Sequence, residues 1–500
     1  MTDQTALTRG RRLLILAICC MSLLIVGLDN TIVNVALPSI QHDLKAPASG
    51  LQWVVAAYTL VLASLLILSG SVADRIGRRR IFQLGLVCFV LGSALCSIAP
   101  SLGWLIAFRA LQAVGGSMLN PVAMSIITNV FTDPRERAQA IGVWSGVVGI
   151  SMALGPLVGG VLLDNYSWPS IFLINVPIGL LAIALAARFV PESRAPRARR
   201  LDPVGQLLAV LVLGAGTGAI IEGPDHGWTS PVILTLIVLA AGALIAFPLW
   251  ERRHREPLLD LRFFRSAPFS GATLIALCAF SALGGFLFLN TLYLQDVRHY
   301  SPVEAGLWTL PIAGFTLVCA PISGRIVGSR GPRIPLVLAG LGVAASGLLL
   351  TRLTATSSPA LLLASYSVFG FGFGLINAPV TNAAVSGMPR AQAGVAAAVA
   401  STSRQVGQSL GVAVLGTVVT SAVVGPLAAG FAPASHAGWW IVMALGLAVA
   451  VLGLLTSTPW ALGTAARVAA RFSDGAPAGP PSARPTPTPA VQGSPADRLR

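Results

Sequence analysis

Apolar residues fall in long unbroken runs along this chain, not at alternating or one-sided helical spacing. Between residues 13 and 458 there are fourteen such runs, each bounded by short polar turns. A helix needs about 20 apolar residues to cross the hydrocarbon core of a bilayer, so the pattern predicts fourteen spans, numbered here 1 to 14. The first, 13–37, follows Arg9, Arg11 and Arg12 as a signal peptide would. It is too long for one, it is interrupted by Asp29, and it lacks a small-residue cleavage site, so it reads as a retained helix. The expectation is an all-α polytopic membrane protein. Residues 461–500, rich in Pro, Ala, Gly and Ser, are predicted to be a disordered tail.

Composition supports this. The chain is 55% hydrophobic and only 10% charged, against about 25% charged in soluble domains. The net charge of +15 suggests a nucleic-acid surface until its placement is read. Arg75, Arg78, Arg79 and Arg80 share one turn, Arg135 and Arg137 the next but one. Arg194, Arg197, Arg199 and Arg200 follow, then Arg252, Arg253, Arg255, Arg262 and Arg265, then Arg330 and Arg333, then Arg390. These are alternate loops. The opposite set holds only Lys45, Arg298 and Arg352. Basic residues stay on the cytoplasmic side, so the charge is topogenic, a nucleic-acid partner is not expected, and both termini, including residues 1–12, are predicted to be cytoplasmic. The six cysteines all lie within apolar runs, which excludes a disulfide framework in the loops.

The chain also repeats. Ser69, Gly70, Gly77 and Arg79 recur as Ser323, Gly324, Gly331 and Arg333. Asn120, Pro121 and Val122 are echoed by Asn377, Pro379 and Val380, and residues 137–140 by residues 390–393. The offset spans eight helices, so the second half begins at span 9. The predicted organisation is an N-terminal six-helix bundle over 13–190, a linker with inserted spans 7 and 8 over 191–260, and a C-terminal six-helix bundle over 261–460. Two like-facing six-helix halves around a midplane site form one large transporter architecture.

The motifs carry a resemblance. The loop after span 2 places Gly70, Asp74, Arg75, Gly77, Arg78 and Arg79 in the pattern of the signature loop of the major facilitator superfamily. Span 1 carries Asp29, Asn30, Thr31, Asn34 and Pro38; span 4 carries Arg109, Gln112, Gly115 and Gly116; span 5 carries Gly146, Gly155, Pro156, Gly159 and Gly160. Trp168, Phe172 and Asn175, then Asp202 and Pro203, then Arg404, Gln405 and Gly407 extend the match. With fourteen spans, the chain resembles the fourteen-helix drug:proton antiporter family. Ala113 and Pro169 depart from that pattern. The resemblance implies a major facilitator fold, proton-coupled export of lipophilic small molecules, and a cell-membrane location. It further implies that the loop around Asp74 latches the cytoplasmic side, and that the glycines of span 5 form a flexible contact between halves.

The residues add their own chemistry. Gly142, Gly146, Gly149, Ala153, Pro156 and Gly160 make one face of span 5 of small residues or proline, which lets helices approach closely in lipid. Asp29 is the one acid deep within a span. An acid there costs up to about 3 kcal/mol, so a bystander role is disfavoured, and a carboxyl can take up and release a proton. Replacing it by asparagine is expected to stop coupling without harming the fold. A structural hydrogen bond to a neighbouring helix is the alternative. Asn30 and Asn34 lie within a turn of it and suggest a polar cavity wall, to which Gln112 and Arg404 are added. Arg109 is placed to pair with the proton site, as the family implies; Arg404 would do so too or would meet an anionic substrate. Glu222, near the outer end of span 7, is a further proton candidate.

Absences narrow the classes. The single lysine, Lys45, sits in no phosphate-binding motif, His42, His226, His254, His299 and His436 lie outside the predicted spans, and no loop is long enough for a catalytic domain. Neither an enzyme, a metal site nor a cofactor is expected, and the chain is taken to act as a monomer. An importer of the same fold, an exporter of an endogenous metabolite or lipid, and a non-transporting sensor remain open.

Overall fold

Long apolar runs become long helices. The computed structural model describes residues 8–194, 202–254, 257–385 and 393–474, and among them no strand occurs. The helices are α1 (Arg9–Leu44), α2 (Ala48–Ile76), α3 (Arg78–Ser97), α4 (Leu102–Val130), α5 (Pro134–Asn165), α6 (Ser170–Leu173), α7 (Asn175–Phe189), α8 (Pro203–His226) and α9 (Pro231–Arg253). A 3₁₀ turn at Leu261–Arg265 leads into α10 (Ala267–Leu292), which ends in a π turn at Tyr293–Val297. Then come α11 (Pro302–Arg330), α12 (Arg333–Leu350), α13 (Pro359–Gly374), α14 (Asn377–Val385), α15 (Ala393–Ala422), α16 (Leu427–Thr456) and α17 (Pro459–Asp474).

Twelve stretches among the described residues are long and apolar enough to cross a membrane, with α6–α7 and α13–α14 each counted as one. The expected spans 5 and 13 correspond to α5 and α15, which are not among the twelve. Along α15, Ser401, Thr402, Ser403, Arg404, Gln405, Gln408 and Ser409 dilute the apolar run. In α5, Gly149 and Ala153 fall outside the residues whose surroundings are described.

The repeat in sequence returns as a repeat in packing. In the first half α1 packs on α5 and α7, and α3 on α4 and α7; in the second, α10 packs on α15 and α16, and α12 on α13 and α16. The recurring glycines have one job. Gly77 ends α2 at φ 131° and Gly331 ends α11 at φ 80°, backbone that residues with a Cβ rarely adopt, so each helix stops and the next begins at once. The third repeated segment, residues 390–392 of it, lies outside the described residues, as do Arg197, Arg199, Arg200, Arg255 and Arg390.

The halves meet through α5 against α11 and α2 against α15, while α8 and α9 pair with each other and α8 touches both α2 and α15. The bundle has two ends: a terminal end, where α1 begins and α16 finishes, and a far end. At the far end, Ile32, Leu37, Val54 and Phe172 of the first half share one apolar core with the second. Towards the terminal end the core of Ile15, Ile25, Phe82 and Ile126 belongs to the first half. Glycines record the same contrast. A Cβ on Gly160 would lie 2.6 Å from Val303 Cα, and one on Gly306 would lie 2.5 Å from the Pro156 carbonyl oxygen, whereas Gly142, Gly146, Gly324 and Gly328 have no neighbour within 4 Å.

Two expectations are corrected. Residues 461–474 are helical, not disordered, because α17 is amphipathic: Ala461, Thr464, Ala465 and Val468 are buried, and the Thr464 hydroxyl oxygen accepts the Ala267 N–H at 2.8 Å. Residues 475–500 lie outside the described residues. His436 falls within α16, its Nε2 2.8 Å from the Leu353 carbonyl oxygen, because that helix starts a few turns before the apolar run, and His42 and His226 stand in the last turns of α1 and α8.

Candidate functional site

Asp29 is fully buried in α1, and four other helices supply what a buried charge needs. Arg109 Nη1 of α4 donates to Asp29 Oδ2 at 2.6 Å. Gln112 Nε2, one turn along α4, donates to Oδ1 at 2.8 Å, and Asn175 Nδ2 of α7 donates to the same oxygen at 3.2 Å. The Ser93 hydroxyl of α3 ties Gln112 and Asn175 together from behind. Arg109 is held from further sides: its Nε donates to the Val54 carbonyl of α2 at 3.2 Å, its Nη1 also reaches Gln112 Oε1 at 2.7 Å, and its guanidinium lies 4.1 Å from the centre of the Tyr58 ring. A charge-assisted pair in low dielectric with its remaining groups satisfied is the arrangement in which a buried ion pair can persist.

The structure thus brings Asp29, Arg109 and Gln112 together. Gln112, expected on the cavity wall, is instead wholly buried inside this cluster. Glu222 is elsewhere: at the far end of α8 it accepts the Trp53 indole N–H at 2.6 Å and faces His226 at 3.2 Å. Asn30 and Asn34 do face the seam. Asn30 Nδ2 donates to Gln408 Oε1 of α15 at 3.1 Å, a bond from one half to the other. Asn34 lines a cavity with Thr31, Pro156, Thr291, Gln295 and Thr309. Its volume is about 30 Å³, room for a water molecule or two, whereas sites for drug-sized ligands run to roughly 300–1,000 Å³. Further bonds close the far end: Gln295 Nε2 to the Val35 carbonyl at 2.8 Å and the Thr417 hydroxyl to Gln52 Oε1 at 3.2 Å.

Arg404 sits one turn before Gln408 on α15, half-buried. Gly407 and Gly411 of the same helix pack on the backbone of α10 at Leu277 and Ser281, so at 3.6 residues per turn Arg404 lies between the α10-facing glycines and the α1-facing Gln408. No hydrogen bond or ion pair to it is found among the described residues. On the same stretch of α15, Thr402 Oγ1, Gln405 Oε1 and Ser409 Oγ are buried and without a hydrogen-bond partner among the described residues.

The loop after α2 is braced more elaborately than its arginines foretold. Asp74 Oδ1 accepts from Arg78 Nη2 at 3.0 Å. Glu192, after α7, accepts the Arg79 N–H at 3.2 Å and lies 3.7 Å from Arg80 Nε, Arg78 N–H donates to the Ser193 carbonyl at 2.9 Å, and Arg79 Nη2 reaches the Ala187 carbonyl. A Cβ on Gly77 would fall 2.6 Å from the Glu192 carboxylate. Gly70 packs against Pro121 of α4, and Arg75 is exposed. On α5, Gly155 packs on Thr31 and Gly159 on Ile32, so these glycines, with Pro156, seat α5 on α1 and on α11, while Gly146 faces open space.

Sequence reasoning missed Ser93, Tyr58, Gln408 and Glu192. Glu192 had a signal, a single acid in an arginine-rich loop; Asn175 stood in a motif without a role. Ser93 and Gln408 had none, since their partners are 19 and 378 residues away.

The model of the Major Facilitator Superfamily matches residues 19–412. The chain is 40% identical over 449 residues to the puromycin resistance protein pur8 of Streptomyces alboniger, covering 88% of this chain and 89% of that protein. It is 38% identical over 410 residues to the multidrug resistance protein Stp of Mycobacterium tuberculosis, covering 82% and 76%. The crystal structure of a POT family transporter in complex with a thioalcohol-conjugated peptide shares the fold at a TM-score of 0.64 and 19% identity, over 89% of this chain and 95% of that one. The chain belongs to the Major Facilitator Superfamily.

Proposed function

We propose that this protein is a proton-coupled exporter of lipophilic small molecules such as drugs or antibiotics. The observation that carries the reading is the buried Asp29–Arg109 pair beside a seam shut at one end and, among the described residues, parted at the other. Relatives named for multidrug and puromycin resistance support the substrate class. Asp29 would carry the proton. Its neutralisation would free Arg109 and Gln112 to rearrange, which links protonation to the α1–α4 contact and so to the seam. Asn30, Asn34 and Arg404 would line the substrate path, with Gln112 acting on it through Asp29.

The rest of the reading follows from the same frame. We place α5 and α15 across the membrane as well, giving fourteen spans: at 1.5 Å per residue they are roughly 48 and 45 Å long, beyond the ~30 Å hydrocarbon core. The six-helix bundles are then 13–190 and 261–460, acting as a monomer, with the arginine-rich terminal end in the cytoplasm. The parted seam would face the cytoplasm, and the brace of Asp74, Arg78, Arg79 and Glu192 would release or hold that side. Pro156 and Gly160 would keep α5 sliding on α11, while Gly155 and Gly159 seat it on α1. One proton moving through ~150 mV supplies roughly 3.5 kcal/mol, about a 300-fold substrate gradient.

The test is a susceptibility panel in an efflux-deficient host, with substrates then followed in inside-out vesicles. Uptake that collapses with the proton gradient is expected; uptake indifferent to it would make the protein a uniporter. Orientation is checked by labelling cysteines at 225 and 197, expected from outside and inside respectively.

A further inference from the structure

The inserted helices hold a buried pair of acids, which the transport cycle above does not use. Asp202 stands just before α8 as its N-cap, and Glu251 lies near the end of α9; each is 3% exposed. One oxygen of each is engaged. Asp202 Oδ1 accepts the Gly205 backbone N–H at 2.9 Å and the Trp250 indole N–H at 3.0 Å, and Glu251 Oε2 accepts the Leu259 N–H at 3.1 Å. The other two, Asp202 Oδ2 and Glu251 Oε1, are buried without a hydrogen-bond partner among the described residues. Both border one small space: a Cβ on Gly205 would lie 2.6 Å from Asp202 Oδ2 and 2.5 Å from Glu251 Oε1.

Two ionised carboxylates facing each other out of water repel, and each unpartnered oxygen forfeits its hydration. One proton relieves both, since it turns one group into a donor to the other. We propose that Asp202 and Glu251 bind a single proton between them, forming a second proton-binding site at the base of the inserted helices.

Among the described residues the surrounding charges leave room for it. His254 Nδ1 is 3.9 Å from Asp202 Oδ2, beyond hydrogen-bond reach though within ion-pair distance. Arg252 and Arg253 are exposed at the end of α9, and on the 3₁₀ turn packed against α9 Arg262 pairs with Asp260 at 2.7 Å while Arg265 is exposed. On α2 the charged residues are Asp74 and Arg75, more than two turns past Ser64, whose carbonyl accepts the Gln206 amide at 2.6 Å. On α15, Arg404 lies about 140° around the helix from Thr417, the residue that bonds to α8.

The position gives the proton an effect. α8 rests on both helices of one seam, through Gln206 on α2 and through the Thr417 hydroxyl on the Ile220 carbonyl. Glu251 anchors Leu259 in the connection to α10. Loss of the shared proton sets two charges against each other at the foot of this strut, so the site makes the strut sensitive to pH independently of Asp29.

Infrared difference spectra and thermal unfolding of the full-length protein in lipid nanodiscs test this. A protonated-carboxyl carbonyl band is expected near neutral pH, absent in both Glu251→Gln and Asp202→Asn. A proton bound in the fold and not in the unfolded chain makes stability fall as pH rises. Wild type should show that fall, and both amide variants, whose N–H supplies the hydrogen bond at every pH, should lose it. Trp250 emission, isolated by subtracting Trp250→Phe, should titrate in wild type and stay flat in Asp202→Asn, which keeps the test open if Glu251→Gln fails to fold. The same band and the same pH profiles in wild type and either amide variant would overturn the proposal.

Discussion

The two halves share a packing plan and differ at their polar centres. In the first half, Asp29 has both oxygens occupied by Arg109, Gln112 and Asn175. In the second, no acid occurs between Glu304 and Asp474, and Arg404 stands without an ion-pair partner among the described residues, beside unpartnered Gln405 and Ser409. The first centre is complete in its charges, although Asn175 Oδ1 and the Tyr58 hydroxyl beside them have no hydrogen-bond partner among the described residues, and it would have to be broken from within; the second is incomplete in its charge and would take its partner from outside. A proton, small enough to enter a sealed cluster, suits the first. A ligand suits the second.

The largest expected effect comes from breaking the complete centre. Asp29→Asn should abolish gradient-driven efflux. It should also cost about 3–5 kcal/mol of stability, because Arg109 is left buried and unpaired. This revises the expectation from sequence, which weighed the cost of the acid alone and did not know its partner. Asp29→Asn with Arg109→Gln should recover the thermal stability and not the gradient-driven efflux; a double variant as unstable as the single would show that the pair is not what holds this cluster.

The incomplete centre is sharpened by substrate charge. Arg404 would repel a second positive charge on a ligand by roughly 1–3 kcal/mol, so a matched dicationic dye should be exported about ten- to a hundredfold less well than its monocationic analogue. Arg404→Gln should narrow that gap, and equal export of both dyes by wild type would remove Arg404 from the path. A smaller effect is expected at the seam. Gly160→Ala forces α5 off the backbone of α11, an overpacking worth about 1–3 kcal/mol, and should slow transport about tenfold or more, whereas Gly142→Ala, on the open stretch of the same helix, should stay within about twofold. Similar losses from both would mean that the closed far end is not a working contact.

The sequence made much of this legible. Span lengths, alternating arginines and the eight-helix repeat follow from chemistry along the chain, and the depth of Asp29 and Arg109 marked them at once. What stayed hidden depends on how helices face one another. Gln112 looked like a cavity residue because polarity in a span signals a polar neighbour without saying whether it is solvent or a carboxylate. Ser93 is an ordinary small residue until α3 meets α4 and α7. Glu251 carries no signal in the sequence, yet the return of α9 onto α8 buries it beside Asp202. The helix α17 escaped because its composition is that of a flexible tail, and only its spacing of Ala461, Ala465 and Val468 is helical.

The central claim is that the Asp29–Arg109 pair couples protons to export without forming the substrate path. Reconstituted protein separates the two by comparing substrate counterflow, which needs no proton gradient, with accumulation driven by one. In Asp29→Asn with Arg109→Gln, counterflow should persist while gradient-driven accumulation falls to background; accumulation that survives in this variant would contradict the account.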